Sequence, residues 1–347
     1  MNKYAMNGTV LIIGGAGYIG SHVITLLRER GYKTVIYDNL STGHRELAFG
    51  PFVYGDILEA SRLEDVFISH EIDVVIHLAA KSLVPESLAK PLFYYENNIS
   101  GTVNILKIML EYGVNKILFS STASVYGSPA NVPVTEDDPP NPDNVYGFTK
   151  IAIERMIADA AHIHNFSYTI LRYFNAAGAD LEGRTGELHV PETHLIPRVL
   201  DVALGESPEI VIYGTDYNTP DGTCIRDYIH VVDIADAHLR AVEWLLGNED
   251  KSDGLVLNVG SGHGFSVLDV VEMAREVTGS DIPIVRGERR KGDPPRLVAG
   301  ADKIRKILKW ELNYSDLRTI IETAWKWHTG KRMELVKPSV HAGIYTK

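Results

Sequence analysis

A short apolar run over 9–13 breaks directly into Gly14-Gly15-Ala16-Gly17-Tyr18-Ile19-Gly20, and apolar residues then recur at helical spacing over 18–30. A strand that turns this sharply into a helix aims the helix's free N–H groups at whatever lies above the turn, where they favour an anion. Gly14 permits the tight turn, Gly17 lets a ligand approach the backbone, and Gly20 lets helix and strand pack closely. Glycine turns are common, so context decides. The next apolar run, 33–37, ends at Asp38, where a carboxylate can take a ribose 2′-hydroxyl. The predicted site is therefore a dinucleotide cradle. A carboxylate repels a 2′-phosphate, so the expected cofactor is NAD, with Arg45 nearby as the one feature against it.

Alternating β-branched runs and helical patterns continue through the first half. The spacing predicts strands over 9–13, 33–37, 52–54, 73–78, 116–121 and 168–172, with helices over 18–30, 62–70, 92–112 and 146–164. This is an α/β pattern: a Rossmann-type doubly wound parallel sheet with a smaller α/β substrate-binding domain. Residues 1–175 read as the NAD-binding domain with 226–260 returning to it, 176–330 mainly as the substrate domain, and 331–347 as a patternless tail. Within the second part, 176–192 reads as a loop or domain crossing. A helix over 194–204, a strand over 210–213 and a strand–helix unit over 227–246 follow. Further on come a strand over 255–259, a helix from 267 and a strand over 283–285. Ligands in such sheets bind beyond the carboxyl ends of the strands. That adds Asp56-Ile57 and Leu78-Ala79-Ala80-Lys81 to the expected cofactor contacts, although Asp56 taken alone also reads as a helix N-cap or turn acid.

Tyr146 and Lys150 stand one helical turn apart, so their side chains share a face. An ammonium beside a phenol favours the phenolate. A phenolate beside a dinucleotide can take the proton of an alcohol whose carbon gives up hydride. The fifth strand ends Ser120-Ser121-Thr122-Ala123-Ser124, so a hydroxyl level with Tyr146 can hydrogen-bond the reacting oxygen. Tyr126 has no lysine one turn on and reads as packing.

With these residues in place, the chain resembles the extended short-chain dehydrogenase/reductase family, and within it the nucleotide-sugar 4-epimerases, over nearly its whole length. The resemblance is carried by residues 14–22, 38–43, 97–98, 146–150, 171–175, 221–230 and 290–293. It implies that Thr122, Tyr146 and Lys150 are catalytic. It extends the cofactor contacts to Tyr18, Ile19, Asn39, Asn97 and Tyr173, alongside Tyr146 and Lys150 themselves. A UDP-hexose substrate is implied at Lys81, Thr122, Tyr146, Asn175, His194, Leu195, Tyr213, Arg226, Arg290, Asp293 and Leu297. Guanidinium forks suit a diphosphate on chemical grounds alone. The implied activity is interconversion of UDP-galactose and UDP-glucose by C4 oxidation and re-reduction. Dehydratases and decarboxylases on the same fold carry an acid near the Thr, whereas Ala123 and Ser124 stand here. A regulator that had abandoned catalysis would be expected to lose Tyr146 or Lys150. A net dehydrogenase stays open on these residues. So does a UDP-N-acetylglucosamine or dual-specificity epimerase, because Leu297 occupies a pocket position where a bulkier Tyr would restrict the sugar. The resemblance also implies a homodimer through helices 92–112 and 151–164.

Composition narrows the setting. The net charge of −11 over 347 residues argues against a nucleic-acid or membrane partner. Cys224 is the single cysteine, which suits a reducing cytoplasm, and the polar start before the first strand shows no signal peptide. The thirteen histidines form no His-Glu-x-x-His, and His162 and His164 point to different helix faces, so no metal is expected.

Overall fold

The computed structural model describes residues 8–247, 254–290 and 292–336. The polar start over 1–7, Lys291 and the tail end over 337–347 lie outside the described residues. Seven strands form one parallel sheet, ordered Gly254–Val259, Ser167–Tyr173, Lys116–Thr122, Val74–His77, Thr9–Ile13, Lys33–Asp38, Phe52–Tyr54. The order reverses between Thr9–Ile13 and Val74–His77, and that switch point is where a doubly wound sheet opens its crevice.

Strand periodicity builds a core on each face. Val10 and Ile12 point to one side, with Ile36, Ile76 and Leu118, against the helices Tyr18–Glu29 and Val231–Gly247. Leu11 and Ile13 point to the other, with Val35, Val75 and Phe119, against Ala60–Ser69, Gly101–Glu111 and Val145–His164. A parallel sheet covered on both faces needs such uninterrupted apolar strands. A third core under the helices Leu195–Ala203, Val267–Thr278 and Leu317–Thr329 holds Val199, Leu200, Val270, Ile320 and Ile321. Among the described residues, no helix is long and apolar enough to cross a membrane.

Three local readings change. The helix expected over 92–112 is helical throughout but not uniform: Pro91–Tyr94 leads into a π turn, Tyr95–Ser100, and then Gly101–Glu111. The wider turn carries Asn98, whose amide grips both backbone groups of Lys81, accepting from its N–H (2.8 Å) and donating to its carbonyl (3.0 Å). The stretch 176–192 is not all loop, because Asn175–Ala177 pairs in parallel with Tyr228–His230. The start of the tail is a short helix, Lys331–Val336, anchored by Arg332 to Asp201 (3.0 Å).

Candidate active site

The glycine turn is shaped by contact. Gly14 sits at φ +86°, and a Cβ there would fall 2.4 Å from the Ala79 nitrogen. Leu78 and Ala79 both donate to the Ile13 carbonyl, so the fourth strand end lies across the turn. At Gly20 a Cβ would fall 2.6 Å from the Gly14 carbonyl oxygen, which binds helix to turn. Gly17 differs: a Cβ would meet only one atom, at 3.6 Å. No packing demand explains glycine there, so its open side is left for something outside the protein. The helix that begins at Tyr18, with Ile19 and Gly20 in its first turn, has no side-chain cap. Its end is therefore free to meet an anion, and the cradle fits a pyrophosphate.

Asp38 is buried and structural as well as chemical. One oxygen accepts from the Ala16 N–H (2.9 Å) and the other from Leu40 (2.8 Å), tying the second strand end to the turn. Burial raises its pKa, while these two N–H groups oppose the rise. Arg45 stacks on Phe52 (4.7 Å) and donates to the Ala48 carbonyl, so its guanidinium is engaged along the chain. Asn39 donates to the Asp56 carboxylate (2.6 Å), joining two strand ends. Ile57 turns away into the core beneath Gly101. Lys81, following Ala80, reaches Ser41 (2.9 Å), and Asn97 donates to Asn98 (2.9 Å).

Tyr146, Lys150 and Thr122 do come together. Asn144 caps the helix Val145–His164 by accepting from Gly147 (2.9 Å), which starts the helix with Tyr146 in its first turn. The Lys150 Nζ lies 5.8 Å from the Tyr146 ring centre and donates to the Ser120 carbonyl (2.7 Å). Thr122, at the end of its strand, hydrogen-bonds Tyr146. The direction of the tyrosine's shift departs from expectation. Burial pushes Tyr146 up to about 12 and outweighs the Thr122 hydrogen bond. Burial also lowers Lys150 to about 7 against the opposing pull of Glu154. Spacing shows that the two groups share a face, but not how far water is excluded from them.

Tyr173 bonds the Ser120 hydroxyl and lies 3.1 Å from the His238 Nε2. His238 was missed because it stands on a distant helix with no motif around it. Further out, Arg226 pairs with Asp293 (3.0 Å), and the Arg290 guanidinium lies 4.0 Å over the Tyr213 ring. Leu297 is buried on the two-residue strand Arg296–Leu297, which pairs with Ile225–Arg226. Asn175 is exposed, and its backbone donates to the Asp227 carbonyl (2.9 Å).

His194 and Leu195 stand at the head of the helix Leu195–Ala203. His194 belongs to a second group, Glu187, His189, Glu192 and His194, whose ligand atoms lie within 4.8 Å of one another. The expectation of no metal weighed only the His-Glu-x-x-His spacing and the 162/164 pair, and so passed over this cluster. Burial lowers the His194 pKa, but Glu187 and Glu192 outweigh it and raise the imidazole to about 10.

Whole-chain comparison relates this protein to known ones. A UDP-glucose 4-epimerase of Halalkalibacterium halodurans is 51% identical over 92% of this chain and 95% of its own. The crystal structure of UDP-glucose 4-epimerase from Brucella ovis in complex with NAD superposes with a TM-score of 0.89 at 45% identity, covering 92% of this chain and 97% of that one. The Bifidobacterium longum UDP-glucose 4-epimerase, solved with NAD+ and UDP, does so at 0.87 and 38%, covering 92% and 98%. The NAD dependent epimerase/dehydratase family profile matches residues 10–260, from the first strand to the end of the seventh, and this chain belongs to that family.

Proposed function

We propose that this chain interconverts UDP-galactose and UDP-glucose through oxidation at C4, rotation of the 4-keto sugar and re-reduction from its other face. The observation that carries the reading is the Thr122–Tyr146–Lys150 group at the switch-point crevice, with no acid at Ala123 or Ser124 to drive elimination. NAD, when bound, takes and returns the C4 hydride, and its positive ring favours the phenolate. Tyr146 takes the proton of the 4-hydroxyl and gives it back, and Thr122 hydrogen-bonds the same oxygen. Lys150, fixed by the Ser120 carbonyl, holds the cofactor ribose. Gly14, Gly17, Tyr18, Ile19 and Gly20 cradle the pyrophosphate. Asp38, Asn39, Asp56, Leu78, Ala79, Ala80, Lys81, Asn97 and Tyr173 complete the cofactor side, with Ile57 able to contribute only its backbone. Asn175, His194, Leu195, Tyr213, Arg226, Arg290 and Asp293 hold the nucleotide, so the hexose beside Leu297 is left loose enough to turn.

On this reading residues 1–175 and 226–260 bind the cofactor and 176–330 mainly the substrate. The protein works in the cytoplasm, in galactose metabolism, as a homodimer. Leu92, Phe93, Phe148 and Ile163 are 79%, 40%, 50% and 68% exposed, apolar area that pairing of these helices across a two-fold axis would cover. Light scattering at micromolar concentration should give the dimer mass, and a monomer would remove that claim.

The test of the activity is incubation with UDP-galactose, with and without added NAD, assayed for UDP-glucose. Product without added NAD is expected, since a redox-neutral cycle has no need to release the cofactor. Conversion of UDP-N-acetylglucosamine with none from UDP-galactose would move the assignment to an acetamido epimerase. No turnover of either would sink it.

A further inference from the structure

We propose that Glu187, His189, Glu192 and His194 form a binding site for one zinc-class divalent ion, separate from the redox centre, with the His194 Nδ1 on the ion and its Nε2 left for the nucleotide. The Glu187 and Glu192 side chains are 7% and 10% exposed. Two neighbouring carboxylates so far from water require cationic charge between them. Two imidazole Nδ1 atoms face that position. The His194 Nδ1 lies 2.7 Å from Glu187 and 3.1 Å from Glu192, and the His189 Nδ1 lies 3.0 Å and 3.8 Å from the same two carboxylates. A tetrahedral zinc centre with its usual bond lengths has ligand-to-ligand edges of about 3.3 Å. The four nitrogen–oxygen edges here scatter around that value, so small side-chain adjustments would close the shell.

The donor set selects the ion. Magnesium and calcium take all-oxygen shells, whereas two imidazoles with two carboxylates suit zinc and its neighbours. An entry path exists, because the His189 and His194 side chains are 29% and 52% exposed. The surroundings give the ion a consequence. The Tyr18 ring stands edge-on to His189 at 6.4 Å, and the His44 Nε2 contacts the Leu188 carbonyl at 2.7 Å. An ion here would therefore fasten the 187–194 segment beside both the glycine turn and the loop after Asp38. The same side chains without an ion form imidazole–carboxylate pairs.

The test uses full-length protein stripped with EDTA. Zn2+ is titrated calorimetrically, and Co2+ is added as an optical probe. The expected result is one ion per chain and a visible Co2+ band of four-coordinate intensity that Zn2+ abolishes. His189→Gln and Glu192→Gln should each weaken Zn2+ binding by at least about tenfold, since even outer-shell changes at metal sites cost 10–100-fold. An unchanged melting temperature in EDTA shows that each variant folds. An ion-pair network only would give no saturable Zn2+ uptake, a weak six-coordinate Co2+ spectrum, or equal binding by wild type and both variants. Any of these overturns the proposal.

Discussion

Tyr146→Phe should lower kcat for UDP-galactose by about 10²–10⁴-fold, the range that a general acid–base group contributes. The substitution deletes one oxygen. The ring stays beneath the Lys150 Nζ, and the residues proposed to hold the nucleotide, Arg226 and Arg290, lie on other elements. KM should therefore change little, the pattern of a group used at the transition state more than in binding. Thr122 loses a hydrogen-bond partner, a loss of about 1 kcal/mol that the fold tolerates. Steady-state kinetics on the folded variant decide the matter. A kcat within tenfold of wild type would assign the proton transfer elsewhere.

Glu154→Gln should destabilise the protein by about 3–5 kcal/mol, the loss typical when one member of a buried ion pair is neutralised. Glu154 and Arg172 are 5% and 6% exposed at the side chain and 2.6 Å apart. Arg172 also donates through Nε to both Glu154 oxygens, at 3.0 Å and 3.2 Å. Ser121 donates to the same carboxylate at 2.5 Å, and Arg172 reaches on to Tyr126, which donates to Asn258 (2.7 Å). The network joins three neighbouring strands to the helix that carries Lys150. Gln leaves a guanidinium charge stranded inside. Replacing both partners with apolar residues should recover most of the loss, because the cost lies in the unpaired charge. Chemical denaturation checks both variants, and a midpoint loss equivalent to less than about 1 kcal/mol for Glu154→Gln would refute the argument.

These two predictions mark what was legible in the chain. The glycine turn, the Tyr146–Lys150 spacing and the continuous apolar strands could be read because each is a local pattern with one physical period. The role of Glu154 could not, since its partners Ser121 and Arg172, and Tyr126 and Asn258 beyond Arg172, come from three separate segments. The π turn at Tyr95–Ser100 was hidden because its apolar spacing still looks helical, and only the Asn98 contacts with Lys81 explain it. The short strand Asn175–Ala177 has a partner more than fifty residues on, and the helix Lys331–Val336 has its anchor at Asp201. Neither carries enough local pattern to be seen alone. The tyrosine's raised pKa followed the same rule, because burial is a property of the assembled cleft.

The seventh strand, Gly254–Val259, enters the sheet beside Ser167–Tyr173 only after the chain has left for some eighty residues. Asp227 then binds the crossing together, accepting from Ser261, Gly262 and Ala299. During synthesis, the first six strands emerge from the ribosome long before the strand that covers their edge. The nascent sheet must wait with Ser167–Tyr173 unpaired on one side, an adhesive border that invites wrong neighbours. Such a chain gains from a chaperone's shelter during that interval, and a fragment ending near residue 175 should be prone to self-association.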